Sequence, residues 1–201
     1  MTISTLPETS FTYDEVAALM REAFAQWGNA GLDSFLVHAQ PEVIRKRTSS
    51  STVYVAYEED VLLGTISMDI IPDRQGSHAF LKFLAIHPSG KGQGLASKLC
   101  ARAVEDAEKA GCQYMLSDTS TAAPWAVRWH LKMGFRKIGY ASFSTNHYYS
   151  YRFRRELGGR HEPPVVLTWF QFVRSWLKVK LTKKKDGSPT AFYRLSRRFV
   201  G

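Results

Sequence analysis

The chain has 201 residues, 44% of them hydrophobic and 22% charged, a composition that suits one globular domain with a real core and excludes a wholly disordered chain. No apolar stretch approaches the ~18–20 residues of a membrane span, and the N-terminal residues lack the basic-then-apolar order of a secretory signal, so the expectation is a cytoplasmic protein. The net charge of +9 is unevenly placed: residues 1–157 carry 17 Lys and Arg against 16 Asp and Glu, whereas residues 158–201 carry 10 against 2.

Thr12 and Glu15 have the spacing of a capping box, and Val16, Leu19, Met20, Ala23, Phe24 and Trp27 then recur at helical spacing until Gly28. A second helical stretch is expected over 32–38, and Pro41 opens a short helix ending near Arg47. Residues 52–57 are β-branched and aromatic and read as a strand; Glu58-Glu59-Asp60 is a hairpin turn. Residues 61–71 alternate, with Ile66, Met68 and Ile70 on one face and Thr65, Ser67 and Asp69 on the other. The polar face is read as solvent-facing, with an acceptor site lined by Ser67 and Asp69 as the alternative. Residues 72–77 are expected to form a loop, and 79–87 a strand that Pro88 stops.

A helix over 94–110 carries Leu95, Leu99, Ala103 and Ala107 in one stripe, with Cys100 and Val104 beside it. A strand over 112–117, a helix over 123–133 and strands over 134–143 and 147–155 follow. Tyr149, Tyr151 and Phe153 share a face of the last strand and read as core. Cys100 and Cys112 read as small buried apolar residues; with no metal-ligand spacing in the chain, no metal is expected. The order predicts an α/β (α+β) fold, a mixed sheet with helices on both faces.

One loop carries chemistry. Lys91-Gly92-Gln93-Gly94-Leu95-Ala96-Ser97 joins a strand to a helix, where glycines let backbone N–H groups converge and the helix N-terminus adds free donors and a positive dipole end. This is an anion site suited to phosphates; a loop without a ligand is the competing reading. A Walker loop is excluded because Gly92 follows Lys91, and GxGxxG fails at Leu95 or Ser97.

These residues resemble the GNAT superfamily of acyl-CoA-dependent N-acyltransferases, whose loop pattern Q/R-x-x-G-x-G/A falls on Lys91 through Ala96, with lysine in the first position. A second signature of that family, N-x-x-A-x-x-ϕ-Y-x-x-x-G-F, falls on 123–135: Ala126, Trp129, Gly134 and Phe135 fit it, whereas Ala123 replaces the asparagine and His130 the tyrosine. The resemblance covers residues 10–157 and implies a mixed, mostly antiparallel sheet and acetyl-CoA or another acyl-CoA as co-substrate. It further implies that the backbone of Leu84, Ala85 and Ile86 pairs with the pantetheine arm and that the amides of Lys91, Gly92, Gln93, Gly94, Leu95, Ala96 and Ser97 hold the pyrophosphate. The implied reaction is transfer of an acetyl or other short acyl group to a primary amine of a small-molecule or peptide acceptor.

Acyl transfer to an amine needs a base for the amine, an N–H donor for the thioester oxygen and an acid for the leaving thiolate. Asp118 lies 12 residues before His130, the offset at which some members of the family place a general-base glutamate before an acid tyrosine. The resemblance thus implies Asp118 as base and His130 as acid, against a reading in which Asp118 caps the loop over Thr119, Ser120 and Thr121 and His130 is structural. With an ordinary pKa of ~6.5, His130 can act in either direction or only hydrogen-bond the sulfur.

Pro163-Pro164 opens the basic segment 158–201, taken as an extension to a 1–157 domain. Val166, Trp169, Phe170, Val173, Trp176 and Leu177 predict an amphipathic basic helix. Its apolar face docks on the domain or in a homodimer, or lies peripherally on an anionic membrane surface; nucleic acid is disfavoured because no recognition motif accompanies the charge. Two further alternatives stay open: a catalytically weak CoA-binding or regulatory domain, suggested by Ala123 and His130, and a membrane-surface acyltransferase with a longer donor or lipid-like acceptor.

Overall fold

The computed structural model describes residues 1–32, 34–74, 76–142 and 149–159, with three helical positions at 173, 177 and 181. The expected C-terminal helix otherwise lies outside the described residues. Seven strands form one sheet: β1 (Thr2–Thr5), β2 (Thr52–Glu58), β3 (Val61–Asp73), β4 (Gly76–Ile86), β5 (Tyr114–Ser120), β6 (Arg136–Ser142) and β7 (Tyr149–Glu156), in the order β1-β2-β3-β4-β5-β7-β6. All pairings are antiparallel except β4 with β5. Helices α1 (Tyr13–Asn29) and α2 (Pro41–Arg47) pack on one face, and α3 (Leu95–Lys109) covers the other. Among the described residues no helix is long and apolar enough to cross a membrane.

The α1 capping box forms as expected, with Thr12 N–H donating to Glu15 at 2.7 Å. The stripe Val16, Leu19, Met20, Ala23, Phe24 and Trp27 is buried against the face formed by β2, β3 and β4. On the other face, Leu99, Ala103 and Ala107 of α3 meet Tyr54, Ile66, Met68 and Leu81. Cys100 and Cys112 are buried, and desolvation pushes the Cys100 thiol up to about 11, so it is inert at neutral pH.

Three expectations are corrected. Residues 72–77 are not an open loop: β3 and β4 pair to their ends, through Asp73 opposite Gly76. The Thr65, Ser67 and Asp69 face is not solvent-facing, because α1 and α2 cover it. Thr65 and Ser67 are fully buried, and Asp69 pairs with Lys82 at 2.5 Å and accepts from Ser51. Finally, β5 runs on to Ser120, so Asp118 lies within the strand opposite Arg152 of β7. The loop after it is capped by the Ser120 hydroxyl, which accepts from Ala122 N–H at 3.1 Å.

A bulge in β4 positions the site. From Thr65 opposite Ala85 to Ser67 opposite Lys82, β4 spends one residue more than β3, and Phe83 takes φ +57°. Such a backbone is costly for a bulky side chain and is held here by packing. The bulge resets the alternation: before it, Ala79 and Leu81 face α3, whereas after it Phe83 and Ala85 face α1 and Leu84 faces α3. It also ends the pairing with β5, which holds only from Ala79–Met115 to Leu81–Ser117. Beyond these residues the two strands part.

Candidate active site

The parted strands open a cleft of about 660 Å³. It is lined on the β4 side by Lys82 through Ile86, on the β5 side by Ser117 through Ser120, and from α4 (Pro124–Lys132) by Trp125, Trp129 and His130. Trp27, Phe35 and Arg47 close the α1 side, and Lys91 brings in the glycine loop. Leu84, Ala85 and Ile86 lie in the cleft on a strand edge without a β5 partner.

The loop itself is an open cradle. Gly92 and Gly94 adopt φ of +81° and +75°, the left-handed region that glycine enters without strain, and a Cβ on either would meet nothing within 4 Å. Their conformation, not crowding, calls for glycine, and the space beside them is free for a ligand. Lys91 N–H bonds Pro88 and Ser97 N–H bonds Gly94. The amides of Gly92, Gln93, Gly94, Leu95 and Ala96 make no hydrogen bond among the described residues, so the donor run is narrower than expected: five consecutive N–H groups ending in the first turn of α3. The Lys91 ammonium is tethered to α1 through Gln26 at 3.0 Å.

Asp118 and His130 line the same cleft but come from opposite faces of the sheet. Ser117 pairs with Phe153 on the α3 side, where His130 also packs; Asp118, the next residue, points with Arg152 to the other side. Burial pushes the Asp118 carboxyl up to about 6, with Arg152 opposing the rise. A carboxylate with that pKa is ionised at neutral pH yet basic enough to take a proton.

His130 is enclosed. Its ring stacks on Phe153 at 4.5 Å and meets Phe135 and Trp129 edge-on. Nδ1–H donates to the Ala126 carbonyl at 2.8 Å, which fixes the tautomer: Nε2 carries the lone pair and accepts from the Ser117 hydroxyl at 3.0 Å. Burial lowers its pKa to about 4, so the ring is neutral across the physiological range and holds no spare proton.

Sequence reasoning passed over three features of the cleft. The sequence marks Trp129 only as an apolar motif position, but its indole Nε1–H is buried without a partner at the cleft wall. An unpaired buried donor costs ~1–3 kcal/mol, a cost that a ligand acceptor removes. Trp27, assigned only to the core stripe, also lines the cleft and meets Trp125 edge-on at 6.0 Å. Arg47 closes the α1 side with its guanidinium over the Phe35 ring, 4.4 Å from the centroid. The five free amides and the open strand edge fit a phosphate and an amide-bearing arm, and the Trp129 donor fits a carbonyl of the same ligand. Among the described residues no group of three or more His, Cys, Asp or Glu could hold a metal.

Known proteins are similar to this chain in sequence and fold. Residues 13–135 match the Acetyltransferase (GNAT) family. A stretch of 60 residues is 40% identical to an acetyltransferase of Agrobacterium fabrum, covering 30% of this chain and 42% of that relative, under half of its length. A GNAT-family protein of Desulfovibrio desulfuricans superposes with a TM-score of 0.61 at 19% identity, over 78% of this chain and 99% of that one. A GNAT acetyltransferase of Elizabethkingia anophelis, solved with acetyl-CoA bound, gives 0.58 at 16% identity, over 78% and 97%. At these identities the superpositions establish the fold, whereas the match that runs from the first turn of α1 to Phe135 spans both motifs and more than half of the chain, which belongs to the Acetyltransferase (GNAT) family.

Proposed function

We propose that the chain is an N-acetyltransferase that moves an acetyl or other short acyl group from acyl-CoA to a primary amine. The observation that carries this is the five-amide cradle at the end of a cleft in which an unpaired strand edge faces a carboxylate of raised pKa. The amides of 92–96 take the pyrophosphate, the edge of Leu84 to Ile86 takes the pantetheine arm, and N–H groups of the parted edge face the thioester oxygen. Asp118 accepts a proton from the acceptor ammonium. The freed nitrogen attacks the thioester carbon, the C–S bond breaks as the adduct collapses, and the second nitrogen proton leaves with the thiolate or to solvent. His130 then positions the Ser117 hydroxyl rather than supplying a proton.

The test is calorimetric titration with CoA and acetyl-CoA, followed by thiol release with an amine panel. Saturable binding and amine-dependent release support the proposal; folded protein that binds neither ligand overturns it. The neutral His130 favours one second reading, a CoA-binding domain without turnover, which binding with no release from any amine would select. The basic segment adds a separate proposal, attachment to an anionic membrane surface, which vesicle co-sedimentation without preference for anionic lipid would remove.

Two outcomes follow from the cleft wall. Trp129→Phe, which removes the orphan N–H together with part of the indole ring packed on His130, should weaken acetyl-CoA binding about three- to tenfold. A residue with a purely structural role would lower the melting temperature and leave affinity alone. In a rate–pH profile, His130→Gln should keep the rise near pH 6, because that limb belongs to Asp118; its disappearance would return the titrating role to His130.

A further inference from the structure

The glycine loop and open strand edge occupy one arm of the cleft; the other arm, under α1 and α2, is left for the acceptor. This inference rests on the proposed acyl transfer and addresses what the amine carries. The arm is walled by aromatic rings: Phe83, brought to this face by the bulge, meets Phe35 edge-on at 5.6 Å, and Trp27 stands beside them. Flat apolar walls favour a planar apolar body over a flexible polar one.

The charges here are few and unequal. Lys82 is already neutralised, since its ammonium bonds Asp69 and, at 2.9 Å, the backbone carbonyl of Arg47. Arg47 differs. Its side chain is exposed, it lies on the face of Phe35, and among the described residues no carboxylate pairs with it. A guanidinium stacked on a ring keeps its N–H edges free, the geometry that receives a carboxylate through two parallel hydrogen bonds. Among the described residues Asp118 is the only carboxylate lining the cleft, so a polycationic acceptor finds one counter-charge from them and a bare guanidinium besides.

We propose that the acceptor is an aromatic primary amine that also bears a carboxylate, with the ring against the wall of Phe35, Phe83 and Trp27, the carboxylate on Arg47 and the amine toward Asp118. Two matched pairs test this on the full chain: 4-(aminomethyl)benzoate against benzylamine, and phenylalanine against phenethylamine, with spermidine as the polycation. Binding to the CoA-saturated protein is measured by calorimetry and turnover by thiol release. In at least one pair the carboxylated member should be preferred about tenfold or more, and Arg47→Gln should abolish that preference while Lys46→Gln leaves it intact.

Equal or better use of benzylamine and phenethylamine, a preference for spermidine, or a carboxylate preference that survives Arg47→Gln each overturns the inference. So does failure of every member of the panel to bind. Calorimetry with CoA alone keeps this distinct from the parent proposal: CoA that binds while the panel shows no carboxylate preference removes the acceptor class only, and CoA that fails to bind removes acyl transfer itself.

Discussion

Gly94→Glu should abolish measurable CoA binding, with a loss of at least ~100-fold in affinity. Two effects act together. Gly94 sits at φ +75° at the N-terminus of α3, where an L side chain strains the backbone by ~1–2 kcal/mol. The new side chain also projects into the open space beside the cradle, where a Cβ meets nothing within 4 Å. A carboxylate there competes for the free amides and repels the pyrophosphate; at ~5 Å and an effective dielectric of ~20, one pair of unit charges is worth ~3 kcal/mol. Gly94→Ala separates the two effects, since it carries the strain without the charge and should lose only ~3–10-fold. A Glu variant that melts within a few degrees of the parent and still binds CoA within threefold would show that the phosphates lie elsewhere.

The cradle was legible because it is local. A strand, a proline, two glycines and a helix start lie within a few residues, and their spacing alone places N–H groups around one point. The two chemical motifs and most element boundaries could be read for the same reason. What escaped depends on which partner covers which face. Thr65 and Ser67 alternate with apolar residues, which suggests one wet face, but α1 and α2 cover that face and both residues are buried. The bulge at Phe83 has no sequence mark: a phenylalanine at φ +57° is set by the β3 register and by packing, not by its own preference. β1 is four residues of an edge strand, too short for a periodic signal. Strand parity sets Ser117 and Asp118 on opposite faces, but that His130 bonds Ser117 and so opposes Asp118 is a tertiary contact without a local pattern. The aromatic arm has no local pattern either, since Trp27, Phe35 and Phe83 come from three separate elements.

Asp118→Asn should lower kcat/KM by ~10²–10⁴-fold near neutral pH, the usual range for loss of a positioned general base. The pH dependence makes the test specific. With the Asp118 carboxyl pushed up to about 6, activity of the parent should rise through that pH as the carboxylate forms and then level. In the Asn variant the limb near 6 disappears, and activity should recover toward the parent as pH approaches the acceptor's own ammonium pKa, where the amine sheds its proton to solvent. Arg152, cross-strand from Asp118, opposes the rise, so Arg152→Gln should shift the limb to higher pH.

Stability should move the opposite way from activity. The folded carboxyl binds its proton more tightly than the unfolded one, whose ordinary value is 3.8. Between about pH 4 and 6 the native state therefore holds the extra proton, and stability falls as pH rises through that window. Above pH 6 the full cost of a desolvated carboxylate is present, on the order of 3 kcal/mol. Asn carries no charge to bury, so the variant should be more stable than the parent at pH 7–8, and the difference should vanish near pH 4. Chemical denaturation at those two pH values measures it. A variant with full activity, an unchanged limb and no stability gain would remove Asp118 as the base; slower catalysis in a more stable protein is what a carboxylate kept buried for chemistry produces.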